Sequence, residues 1–133
     1  MRTFVIALAL AVSTGAVAKD RASFIDGQYA TKEQCAKLRR IEAGTPKNVE
    51  TTPELLDADG FKSWEGGCAF TQIFAHEPDK SWVALMVCSE GTRTVPEMYV
   101  ISRLEDEDGF EVGHADDEEG PVIYNRCDAK EGK

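Results

Sequence analysis

The chain has 133 residues, 42% of them hydrophobic and 29% charged, with a formal net charge of −9 at pH 7. That length holds one domain. Acidity of this size repels phosphate backbones and anionic lipid, which argues against nucleic-acid and membrane partners and leaves a basic periplasmic or extracellular protein as the partner that charge favours.

The first residues, Met1-Arg2-Thr3, carry one positive charge, and Phe4 to Val12 are all apolar. Ala16-Val17-Ala18 then gives the small-x-small pattern that signal peptidase accepts, with Ala16 and Ala18 as the small residues. Residues 1–18 therefore read as a cleavable signal peptide. The apolar run is shorter than the roughly 20 residues a membrane span needs. No cysteine sits at the cleavage point, so a lipid anchor is not expected. No later stretch is long enough to insert, and the mature protein is expected to be soluble, in the periplasm or secreted. Cleavage removes Arg2 and takes the formal charge from −9 to −10. All four cysteines, Cys35, Cys68, Cys88 and Cys127, follow the cut. An even count in an exported chain reads as two disulfides. No pair has C-x-x-C spacing, which argues against a thioredoxin-type motif and against a zinc site.

Residues 19–26 read as a flexible lead-in to one domain over 27–128. Gly27 to Ala30 starts a strand. Thr31-Lys32-Glu33-Gln34 has the form of a capping box, Thr first and Gln three residues on. It predicts a helix of about three turns ending at Gly44, with Cys35, Leu38 and Ile41 as the apolar stripe. Residues 45–53, bounded by Pro46 and Pro53, are expected to be a loop. Leu55-Leu56 and Phe61 to Glu65 suggest two strands about the Asp57-Ala58-Asp59-Gly60 turn, and Gly66-Gly67 marks a bend or bulge.

Cys68 to Phe74 and Ser81 to Ser89 form the strongest hairpin. A turn centred on Pro78 places Cys68 opposite Cys88, Phe70 opposite Met86 and Phe74 opposite Trp82. Both faces of this hairpin are then apolar, as in central strands covered on both sides. Val95 to Leu104, Phe110 to Gly113 and Val122 to Cys127 are further strands, with Pro96 suited to a strand start or an edge. Residues 129–133 are a loose tail. Regular turn spacing predicts a mainly β fold: a small antiparallel up-and-down barrel or barrel-like sheet with one N-terminal helix and two disulfides. The hairpin register favours Cys68–Cys88 with Cys35–Cys127. A slipped turn gives Cys35–Cys68 with Cys88–Cys127 instead.

No catalytic residue, cofactor site or metal site is assigned. The acidic runs Glu105 to Asp108 and Asp116 to Glu119, and the Asp57 and Asp106 turns, resemble fragments of a calcium loop without completing its ligand set. They read as hairpin turns, which favour Asp and Gly without a metal. His76, near Glu77, Asp79 and Ser81, and His114 read as surface histidines. Trp64, Trp82, Phe61, Phe70, Phe74, Tyr99, Phe110 and Tyr124 read as core, with a filled interior preferred over a barrel mouth holding an apolar ligand.

Gly27-x-Tyr29 ahead of Cys35, Asp59-Gly60-Phe61-x-x-Trp64-Glu65-x-x-Cys68, Trp82-x-Ala84-x-x-x-Cys88-x-Glu90-Gly91 and Tyr124-x-Arg126-Cys127 carry a resemblance. Together they resemble small exported four-cysteine proteins of unknown function from alphaproteobacteria. The resemblance covers most of the mature chain and implies a compact β-barrel with no established activity. The segment between Cys35 and the Asp57 turn is longer here, which bears on the helix length. In size, export and β architecture the chain is also similar to periplasmic inhibitors of c-type lysozyme, without their motifs. The functional expectation is a non-catalytic exported binding domain. The alternatives are an inhibitor or immunity protein for a cationic cell-wall hydrolase, a small hydrolase with a carboxylate site, and a carrier of a small apolar ligand.

Overall fold

A computed structural model describes residues 20–44 and 51–128. The expected signal peptide with Ala16 and Ala18, the tail 129–133 and part of the loop after the helix lie outside the described residues.

Among the described residues eight strands form, in chain order β1 (Tyr29–Ala30), β2 (Leu55–Asp57), β3 (Gly60–Lys62), β4 (Gly67–Glu77), β5 (Ser81–Glu90), β6 (Arg93–Arg103), β7 (Gly109–His114) and β8 (Val122–Arg126). A helix, α1 (Lys32–Glu42), lies between β1 and β2. Each strand pairs antiparallel with the next, and Tyr29 and Ala30 of β1 close onto Arg126 and Asn125 of β8. The expected up-and-down barrel is therefore closed, which removes the free sheet edges. Its turns alternate between two ends. The β2–β3, β4–β5 and β6–β7 turns share one end; the β3–β4, β5–β6 and β7–β8 turns share the other.

Both favoured disulfides are present, Cys35–Cys127 and Cys68–Cys88, which excludes the slipped pairing. Cys35 lies on the inner stripe of α1 and packs with Ala30, Leu55, Cys127 and half-buried Leu38. The stripe frays at its C-terminal end, where Ile41 is 39% exposed. Thr31 caps the helix by accepting from the Gln34 N–H at 3.3 Å. The reciprocal half of the capping box is replaced. Gln34 Oε1 accepts instead from the Glu54 N–H at 3.1 Å, tying the helix to the chain entering β2.

The long hairpin keeps the expected register only over its first half. Cys68 faces Cys88 and Phe70 faces Met86, then Gln72 faces Leu85, so Thr71 is an extra residue. This β-bulge is satisfied locally. The Thr71 hydroxyl donates to Leu85 O at 2.9 Å, and Phe70 O accepts from the Asp20 N–H at 3.2 Å. Past the bulge the faces swap, so Val83, not Trp82, faces Phe74. Phe74 turns outward and is 54% exposed, while Ile73 packs on the core. Trp64, in the β3–β4 turn, is 67% exposed and is likewise not a core residue. The outer face of the hairpin is not covered by α1, which packs near β1 and β8.

Of the lead-in expected over 19–26, the described residues 20–26 are packed, and residues 20–28 plug one end of the barrel. Ala22 N–H bonds Ala58 O at 2.9 Å, and Ala22 and Ile25 are buried. Phe24 stacks on Trp82 with ring centroids 3.7 Å apart and lies edge-on to Phe110 at 5.9 Å. Tyr29, Leu56, Phe70, Met86, Ile101 and Phe110 complete this half of the core. The interior is therefore filled at the end that carries the β4–β5 turn.

Candidate functional site

The opposite end is open. Strand alternation carries the inward set of the barrel upward past the filled half, where the residues change character. On β6 the inward series runs Ile101, Tyr99, Glu97; on β7 it runs Phe110, Val112, His114. Phe61 of β3, Tyr124 and Val122 of β8 and the Cys68–Cys88 disulfide join them. They enclose a cavity of about 810 Å³ that opens between the β3–β4, β5–β6 and β7–β8 turns. That volume lies within the range of small-molecule sites.

Three aromatic rings share the wall. Phe61 lies 5.0 Å from Tyr99 and 5.8 Å from Tyr124, centroid to centroid, tilted to both. The Tyr99 hydroxyl donates to Glu97 Oε2 at 2.8 Å. His114, paired with Tyr99 across the β6–β7 ladder, sets its ring edge-on to Tyr99 at 4.9 Å. Its Nδ1 accepts from the Asp116 N–H at 3.2 Å, which leaves the ring proton of a neutral imidazole on Nε2. Nε2 stands 3.1 Å from Glu97 Oε2 but off the line of a straight hydrogen bond. Glu97 thus accepts from the Tyr99 phenol and lies beside the His114 imidazole, one inward position above Tyr99 toward the rim of the open mouth.

Burial raises the Tyr99 pKa, followed by its bond to Glu97 and by the negative charges of Glu97 and Glu90. Tyr124 is raised by burial first and then by Glu54. Both phenols stay protonated through neutral pH. Five carboxylates line the mouth: Glu54, Glu65, Glu90, Glu97 and Asp117. Lys62 lines it too, but its ammonium is paired with Asp57.

The closed end holds the other polar cluster. Arg126 reaches Asp26 Oδ1 at 2.5 Å, Asp108 Oδ2 at 2.6 Å and the Tyr29 hydroxyl at 2.7 Å. The Tyr29 hydroxyl, through its bond, and then Arg126 hold the Asp26 carboxyl below its usual range. This arrangement fastens the plug to β1 and β8, and every charged member has a partner.

The other residues weighed from sequence do not converge. Asp57 accepts from the Asp59 N–H and pairs with Lys62, while Asp59 meets Arg21 at 3.0 Å and Asp108 meets Arg126. Among the described residues no group of three or more His, Cys, Asp or Glu side chains is arranged to hold a metal ion. The Glu105 to Asp108 turn lies at the plugged end and the Asp116 to Glu119 turn at the open end, on either side of β7. His76 is exposed on β4, and no hydrogen bond joins it to Ser81, whose hydroxyl is buried without a partner among the described residues. His114 is not a free surface histidine, because it is half-buried in the mouth. Glu97 has a trace in the sequence: it sits two residues before Tyr99 in a strand, on the same inward face.

No protein-family model, no curated protein and no solved structure matches the chain.

Proposed function

We propose that the protein is an exported, non-catalytic binding protein that takes a small ligand into the open mouth of its barrel. The observation that carries this reading is the asymmetry of the interior. One half is packed solid by Phe24, Trp82, Phe110 and Tyr29, and the other is left as a cavity of about 810 Å³ walled by Phe61, Tyr99, Tyr124 and Val112. A barrel this size can fill its whole interior with side chains, so an open half calls for an occupant. Non-catalysis is supported by the state of the polar groups. Glu97 is engaged by the Tyr99 hydroxyl, the Ser63 hydroxyl donates to Gly66 O at 2.6 Å, and no free thiol exists among the described cysteines. Two disulfides suit an oxidising compartment, and no helix among the described residues is long and apolar enough to cross a membrane. The inhibitor reading rests on export, disulfides and acidity and the hydrolase reading on an unrecognised carboxylate site, and no geometric feature favours either over the mouth.

The test is nuclear magnetic resonance of the oxidised protein against a panel of small aromatic neutrals, anions and cations. Members that bind are expected to shift Phe61, Val112, Tyr99 and Tyr124 together. Val122→Trp, a change at an exposed rim position, is expected to abolish those shifts without altering the melt. Binding that spares the mouth, or no binding by any member, would reject the reading.

A further inference from the structure

We infer that the occupant of the mouth is a small organic monocation with an apolar body, such as an alkyl- or arylammonium compound. The inference rests on the binding reading above and adds the sign of the ligand's charge. Two features of the mouth that arise from different residues point the same way.

The first is the charge of the wall. Glu54, Glu65, Glu90, Glu97 and Asp117 line it, and Lys62 is drawn off by Asp57. Arg93 lies across the strand pair from Glu90 at the same end, but it does not line the cavity. A low-dielectric cleft walled by one sign of charge concentrates ions of the opposite sign. An anionic ligand would enter against this field. The second is the ring cluster. Phe61, Tyr99 and Tyr124 supply aromatic surface, whose π faces attract desolvated ammonium groups and whose bodies accept apolar ones. Glu97, held by the Tyr99 hydroxyl, supplies a counter-charge beside those rings.

A metal ion fits the mouth less well than an organic cation. Divalent cations need several oxygens converging within about 2–2.6 Å, and no such group forms among the described residues. The carboxylates are instead spread around a wide opening, an arrangement that complements a bulky, weakly hydrated charge. The cavity is also far larger than a bare ion requires.

The experiment compares three probes on the oxidised protein by titration at low salt: benzyltrimethylammonium; neopentylbenzene, its uncharged isostere with carbon in place of nitrogen; and phenylacetate. The cation is expected to bind at least about tenfold tighter than the isostere, and phenylacetate more weakly than either. Glu97→Gln is expected to lower the cation's affinity by about tenfold and leave the isostere's unchanged. Should Glu97→Gln disturb the fold, the triple change Glu54→Gln, Glu65→Gln, Glu90→Gln tests the same field, since all three side chains are exposed. It is expected to weaken the cation about threefold and flatten its salt dependence. Equal or tighter mouth binding by the isostere or by phenylacetate overturns the inference and leaves the binding reading standing. If none of the three probes binds while other panel members fill the mouth, the inference again falls alone. If nothing fills the mouth, both fall.

Discussion

Single residues show where this backbone has no slack. Gly60 has φ +135°, and a Cβ built there would stand 1.9 Å from Cys68 O. The contact is with backbone of the paired strand, so no side chain can rotate away to relieve it. Gly91 also has a positive φ, +61°, yet a Cβ there meets nothing within 4 Å. The two glycines therefore separate conformational freedom from close approach. Gly60→Ala is expected to destabilise by about 3 kcal/mol or more. Gly91→Asn is expected to cost about 0.5 kcal/mol, since Asn tolerates the left-handed region. Urea unfolding of both variants checks the contrast, and equal losses would show that strain at Gly60 is relieved elsewhere. Both glycines stand out in the sequence as turn residues. Nothing in the sequence says that only Gly60 lies against a carbonyl.

At the scale of elements, the plug and the bulge decide what the interior contains. Phe24 fills the closed end by stacking on Trp82, whereas Phe74, expected to face Trp82, points outward past the bulge at Thr71. Phe24→Ala is expected to lower stability by about 2–3 kcal/mol, a partial version of a core phenylalanine loss. Phe74→Ala is expected to stay within about 0.5 kcal/mol. Chemical denaturation of the pair decides the register, because a larger loss at Phe74 would return it to the core. The hairpin itself was legible from its alternation and its two cysteines. The bulge was not, because apolar residues lie on both faces of β4 and β5, and a one-residue slip leaves such a pattern looking the same. The plug was hidden for a different reason. Residues 20–28 make irregular contacts with distant strands, and no periodicity marks such a segment. The mouth was half legible: its aromatic residues were identified, but as core. Its opening depends on which inward positions carry Glu97 and His114, and that follows only once the strands are in register.

At the scale of the whole molecule, closure links the disulfides, the tyrosines and stability. Cys35–Cys127 spans 92 residues and fastens α1 beside the β1–β8 seam where the barrel closes. All three tyrosines of the chain, Tyr29, Tyr99 and Tyr124, point into the barrel, and each is raised above its ordinary pKa, with burial as the first cause. In the unfolded chain they ionise near pH ~10. The folded state holds these protons more tightly than the unfolded state, so the contribution is fully present below that pH. It is lost as pH rises from the unfolded toward the folded values. Each tyrosine that stays protonated in the fold while ionised in the unfolded chain lowers stability by about 1.4 kcal/mol per pH unit. Three together give at most about 4 kcal/mol per unit. Urea melts from pH 8 to 11 are expected to show this alkaline slope beginning near pH ~10. Tyr99→Phe should remove about one third of it, since that ring then has no proton to lose. Phenolate absorbance is expected to appear with unfolding and not before. Ionisation near pH ~10 in a chain that is still folded would mean that water reaches these hydroxyls freely, and the barrel would then be more open than its plugged end implies.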